Sequence, residues 1–381
     1  MTGVTSLRLV PIIVVVALVS IHARASGTSC HFPAIFNFGD SNSDTGGLSA
    51  AFGSVPPPNG MTYFRAPAGR YSDGRLVIDF IAESFGLPHL SAYLDSMESN
   101  FSHGANFATA GSTIVTPNIT GYSPVTLGVQ LIEFLEFHER SRAIRSRDGI
   151  FKELLPRNNY FSRSLYTVDI GQNDLTAGLK QNWTIKQVEA SFPQLITQFS
   201  EIIKNAYSKG GRSFWVHSTG PIGCLIYMLD RYDDKFGFDE HGCSIGINEL
   251  SRNYNRALRE AVEVLRKDLP ESSIIYVDVY LVKYTLITEA QKHGFKQPFL
   301  ACCGHGGKYN YDNSRRCGTK ITNEGKEVLY AKACRDPSVR ISWDGIHYTE
   351  AANKWIFNKI VTGAFSDPPI PLEMACRKMA R

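Results

Sequence analysis

The chain has 381 residues, 43% hydrophobic and 20% charged, a composition that supports a sizeable globular core and excludes a disordered or fibrous class. A formal charge of +4 argues against a nucleic-acid partner, because phosphate contacts need clustered Lys and Arg. Eight cysteines, an even number, favour disulfides in an oxidising compartment.

The first segment, "LRLVPIIVVVALVSIHARAS", has an early Arg8, an apolar run and then Ala23-Arg24-Ala25 before Ser26, the layout of a secretory signal. The apolar stretch from Leu7 to Ile21 is shorter than the ~20 residues that a spanning helix needs. The sequence therefore predicts a signal peptide over residues 1–25, cleaved to leave 26–381 as a single domain with no stable membrane insertion. Cleavage removes two arginines and no acid, so the charge falls further towards neutrality.

All eight cysteines, Cys30, Cys224, Cys243, Cys302, Cys303, Cys317, Cys334 and Cys376, lie beyond the signal, and their pairing is open at this stage. Their spacing matches no Cys-x-x-Cys metal framework. Sequons at Asn100, Asn118 and Asn182 agree with secretion and are candidate glycosylation sites.

Short apolar runs bounded by Gly, Asn or Asp predict strands buried on both faces at 34–38 (AIFNF), 165–170 (LYTVDI), 213–218 (SFWVHS) and 273–280 (SIIYVDVY). Helical periodicity occupies 79–87, 128–144, 185–210 and 247–269, and a last helix follows His347. This alternation predicts an α/β fold with a parallel sheet flanked by helices. In such sheets ligands bind beyond the carboxyl ends of the strands.

Small polar residues collect at those ends. Ser41 follows the first strand in Gly39-Asp40-Ser41, where a turn can present its hydroxyl; a capped turn is the plain alternative, with Ser41 or Asp44 accepting helix N–H bonds. Asn173 has the matching place after the 165–170 run, and Gly111 closes "GANFATAG", where a backbone N–H can approach a substrate. Asp344 and His347 stand three apart in a loop, as a base and the partner that orients it would. Thr349, followed by Glu350, is the better cap for the last helix and frees that loop. Gly242-Cys243-Ser244-Ile245-Gly246 fits the G-x-S-x-G elbow, but a charged loop rather than a strand precedes it, which excludes Ser244. His305 and His103 are reserve bases.

Phe38-Gly39-Asp40-Ser41, Gly104-Ala105-Asn106-Phe107-Ala108 through Gly111, Gly171-Gln172-Asn173-Asp174 and Asp344-Gly345-Ile346-His347 together resemble the four ordered blocks of the plant GDSL esterase/lipase family, within the SGNH hydrolases. The likeness spans residues 30–365 and is greatest to the early-nodulin and α-fucosidase-like branch. Asn42 departs from the leucine of the family name, and Ala110 replaces a glycine of many members.

The resemblance implies a three-layer, flavodoxin-like sandwich and a serine esterase. Ser41 would be acylated, His347 would serve as base and then acid, and Asp344 would fix its tautomer. The oxyanion hole would be the N–H of Ser41, the N–H of Gly111 and the side chain of Asn173. This chemistry needs no metal and no cofactor. Its substrate would be a small-molecule or cell-wall ester met outside the cell, in the apoplast or wall, with the vacuole as the alternative compartment. An acyltransferase using the same acyl-enzyme, a fucosidase-like glycosidase and a non-catalytic binding protein are the rival readings.

Overall fold

The computed structural model describes residues 29–97, 99–116, 122–147 and 149–377; the expected signal segment and Asn118 lie outside them. Five strands, β1 (Ile35–Gly39), β2 (Gly104–Asn106), β3 (Leu165–Asp169), β4 (Ser213–His217) and β5 (Ser273–Val277), run parallel in the order β2-β1-β3-β4-β5. Four short strands, β6 (Cys303–Gly304), β7 (Lys320–Asn323), β8 (Lys326–Leu329) and β9 (Lys332–Ala333), form two small antiparallel pairs in the Cys-rich loop. β10 (Ser366–Asp367) closes the main sheet antiparallel to β5.

Strand order 2-1-3-4-5 is that of flavodoxin-like sheets, with its topological switch between β1 and β3. Helices Leu127–Arg145, Phe192–Ser208 and Ile245–Asp268 pack together as one layer, and Val77–Ser84, Val279–Thr288 and Glu350–Ile360 as another. The α/β expectation holds.

β1, β4 and β5 are buried along their whole length and mostly apolar because both faces of the sheet are covered. Phe36 stacks on Phe161 with centroids 5.0 Å apart and meets Phe134 edge-on, so aromatic contacts tie β1 to the Leu127–Arg145 layer. Two predicted elements differ. The 185–210 helix breaks into Ile185–Glu189 and Phe192–Ser208, because Pro193 lacks an N–H and is accepted only in a first turn. The 273–280 strand stops at Val277, where the Asp278 carboxylate accepts the Leu281 N–H and starts a helix.

All eight cysteines pair, as Cys30–Cys376, Cys224–Cys243, Cys302–Cys334 and Cys303–Cys317. The first joins the two ends of the described chain, and the last two knot the β6–β9 loop.

Candidate active site

Ser41, Asn173 and Gly111 all lie beyond the carboxyl ends of β1, β3 and β2, at the switch point. Polar residues inside the sheet hold the turn after β1. Asn37, buried in β1, donates to Asn106 Oδ1 at 2.7 Å and accepts from Thr167 Oγ1 at 2.7 Å, bridging β2, β1 and β3. Asn106 then donates to the Ser43 carbonyl at 2.7 Å and to Thr45 Oγ1 at 2.9 Å. Gln130, buried on its helix, accepts from Gly39 N–H at 2.9 Å and donates to Gly39 C=O at 2.8 Å. Gly39 itself admits no side chain, since a Cβ would lie 2.6 Å from the Asp169 carbonyl oxygen.

The carboxylates divide the remaining work. Asp44 accepts N–H bonds from Gly46, Gly47, Leu48 and, across the cleft floor, Ala110, so it is the cap of this turn and leaves Ser41 free. Asp40 accepts from the backbone and side-chain N–H groups of Asn42, both at 2.9 Å. The departure from leucine at position 42 thus supplies a donor to a buried acid. Burial, reinforced by Asp169, pushes the Asp40 carboxyl up to about 6 against the pull of Asn42 and His347. Asp174 accepts from the N–H groups of Ile114 and Val115, and burial pushes it up to about 7.

Ser41 Oγ lies 2.8 Å from His347 Nε2, although 306 residues separate them. His347 Nδ1 lies 2.6 Å from Asp344 Oδ2. Asp344 Oδ1 accepts the N–H groups of Ile346 and His347 at 2.9 and 2.8 Å. Burial raises the Asp344 carboxyl, but the imidazole and these bonds outweigh it and hold the group below the usual carboxylate range. The loop needs Gly345: its φ is 93°, and a Cβ would come within 2.5 Å of the Tyr311 ring. Thr349 Oγ1 accepts the Ala352 N–H and caps the last helix, so Asp344 is not spent there. The Tyr71 ring, 5.2 Å from that of His347, covers the imidazole.

Asn173 Nδ2 donates to the Ser112 carbonyl at 2.9 Å and has a long 3.4 Å approach to Asp40 Oδ2. Among the described residues the N–H groups of Ser41 and Gly111 have no acceptor. Ser41, Gly111, Asn173 and His347 line one open cleft of about 460 Å³, together with Leu48, Phe52, Tyr71 and Tyr122. No Asp or Glu lines it among the described residues. A hydroxyl bonded to an imidazole that a carboxylate orients is equipped for nucleophilic attack, and free N–H groups beside it can receive an oxyanion.

The alternatives fall outside this cleft. Ser244 is buried at the start of the Ile245–Asp268 helix. His305 packs against the Tyr330 ring in the Cys-rich loop, and His103 Nδ1 bonds the Pro33 carbonyl at the opposite end of β1. Sequence reasoning missed Asn37, Asn106, Gln130 and Asp174 as supports. The available signal was polarity at core positions: an Asn within an apolar strand, and a Gln between Leu127 and Phe134 on the buried helix stripe.

The family model for GDSL-like lipase/acylhydrolases matches residues 35–360. A GDSL esterase/lipase of Arabidopsis thaliana is 58% identical over 370 residues, 96% of this chain and 97% of that protein. Alpha-L-fucosidase 3 of Arabidopsis thaliana is 55% identical over 366 residues, 95% and 96% of the two chains. The GDSL esterase/lipase ENOD8 of Medicago truncatula is 50% identical over 352 residues, 91% of each. Site geometry, sheet order and these likenesses converge: the chain belongs to the GDSL-like lipase/acylhydrolase family and is a carboxylic ester hydrolase.

Proposed function

We propose that the chain is a secreted serine esterase working through an acyl-enzyme at Ser41. The observation that carries this reading is the 2.8 Å contact between Ser41 Oγ and His347 Nε2. Ser41 Oγ attacks the ester carbonyl carbon while its proton passes to Nε2; Asp344, bonded to Nδ1, stabilises the imidazolium. The tetrahedral oxyanion takes hydrogen bonds from the N–H groups of Ser41 and Gly111 and from the Asn173 amide. Collapse breaks the bond to the alkoxy oxygen, which leaves as the alcohol with the proton from Nε2. Water, deprotonated by His347, then attacks the acyl carbon and releases the carboxylic acid and the Ser41 hydroxyl.

Secretion is supported by the signal-like segment over residues 1–25 and by four disulfides, which persist in oxidising compartments. Asn100 and Asn182 are exposed and, with Asn118, are the proposed glycan acceptors. The substrate is a small or wall-bound ester outside the cell. The glycosidase reading, suggested by the name of one relative, needs two carboxylates flanking a sugar, and the cleft lining offers none among the described residues.

Labelling by a fluorophosphonate and turnover of 4-nitrophenyl acetate test this together. Wild type should show both, and Ser41→Ala should lose both while keeping its melting temperature. Labelling that persists in Ser41→Ala would assign the nucleophile elsewhere. Product analysis with an added alcohol separates hydrolysis, expected to dominate, from acyl transfer.

A further inference from the structure

We propose that the cleft selects esters carrying a carboxylate close to the scissile bond, with Lys180 and Arg316 as the groups that bind it. The proposal deepens the esterase reading and rests on it. Lys180 and Arg316 both line the cleft that holds Ser41, and that lining contains no acid among the described residues. Lys180 closes the helix Gln172–Lys180, in which Asn173 occupies the first turn. Seven residues make two helical turns, so the two side chains leave the same face about 10 Å apart along the axis. A lysine reaches back over part of that distance. The bound charge therefore lies within one sugar ring or a short acyl chain of the reacting carbonyl.

Neither cation has a carboxylate partner among the described residues. Lys180 forms no ion pair among the described residues; its Nζ rests 4.8 Å from the Tyr122 ring centroid and 5.3 Å from that of Tyr227. Burial, followed by the neighbouring charges of Arg316 and Arg231, pulls its ammonium down to about 8. Arg316 donates to the neutral Asn313 Oδ1 at 2.8 Å and has no carboxylate partner among the described residues. Its backbone is fixed next to Cys317, which is bonded to Cys303. Stacking over two tyrosines accounts for a single lysine head. It gives no reason for the Arg316 guanidinium to share the cleft with a partly buried ammonium, an arrangement that costs free energy until an anion arrives.

A carboxylate on the acyl side and one on the alcohol side, as in a uronate, are the two sources of this chemistry. The experiment compares mono-4-nitrophenyl glutarate with 4-nitrophenyl valerate, and O-acetylated polygalacturonate with O-acetylated xylan, each normalised to its alkaline hydrolysis. In at least one pair, kcat/KM for the charged ester should exceed that for the neutral one by about tenfold, the scale of one charge-assisted hydrogen bond. The ratio should fall about as much in Lys180→Gln and in Arg316→Gln, recover in Lys180→Arg, and shrink with added salt. Lys204→Gln, which removes a cation paired with Asp268 away from the cleft, should leave the ratio unchanged. Ratios near one in both pairs, or a preference that survives both substitutions, would overturn the proposal. A wild-type enzyme that turns over neither neutral ester and takes no fluorophosphonate would instead sink the esterase reading beneath it.

Discussion

Residues 39–47 are small and polar because three of their side chains have distinct tasks. Asp44 caps the turn, Asp40 is satisfied by Asn42, and the Ser41 hydroxyl is left for the imidazole. Asn173→Ala should lower kcat by about 10²–10³ with the fold intact, as loss of one oxyanion donor does; an unchanged kcat in steady-state assays would remove it from that role. Gln130 touches no substrate, yet it makes two bonds to Gly39 next to the nucleophile turn. Gln130→Leu leaves the Gly39 N–H buried without a partner, while the Gly39 carbonyl keeps the Thr109 N–H at 3.3 Å, and should cost about 1–3 kcal/mol in a denaturant titration. Its kcat should fall more than its KM changes, because the turn carrying Ser41 loosens; equal stability to wild type would contradict this. Ser41 and Asn173 stood out as candidates because turn residues after strands carry few other jobs, Asp344 and His347 because Thr349 caps the last helix and frees their loop, and Gly111 only when the four blocks were taken together. Gln130 was hidden, since nothing local in a helix names a partner 91 residues away.

At the level of elements, strand interiors were readable from apolar runs, while their ends depended on caps and breakers. β2 escaped notice because Gly104–Asn106 is three residues long and reads as a glycine turn. Its strand character comes from pairing with β1, a contact that local sequence does not express. The Glu350–Ile360 helix was set by its cap: Thr349→Ala should lower stability by about 1 kcal/mol through loss of the bond to Ala352 N–H. Because this helix follows His347 by two residues, the same variant should lose activity before it loses structure on heating. A variant whose activity and circular dichroism melt together would show that the cap does not govern the His347 loop.

Across the whole molecule, buried carboxylates fall into two groups with opposite pH signatures. Asp344 and Asp79 are buried, which raises them, but His347 and Arg70 outweigh burial and hold both below their unfolded value. Their stabilisation is present above the unfolded pKa of about 4 and is lost as pH falls through the lower folded values. Asp40, pushed up to about 6, and Asp174 and Glu133, each pushed up to about 7, act in the other direction. The folded chain holds their protons more tightly than the unfolded chain, so stability declines as pH rises from about 4 to 7. The melting temperature should therefore peak on the acid side, between about pH 4 and 6, and Asp174→Asn should flatten the decline above it. A melting temperature that climbs steadily to pH 8 would contradict that balance. An acid-side optimum suits a protein proposed to work in the wall or vacuole. The central claim, that 306 residues of chain fold back to place one imidazole on one serine, is tested most directly by trapping the intermediate. Rapid acid quench during turnover of 4-nitrophenyl acetate, followed by peptide mass spectrometry, should find one acetyl group on Ser41, accumulating when water attack is slowed and absent from Ser41→Ala. Turnover with no acetyl on Ser41, or with the acetyl on another side chain, would contradict it.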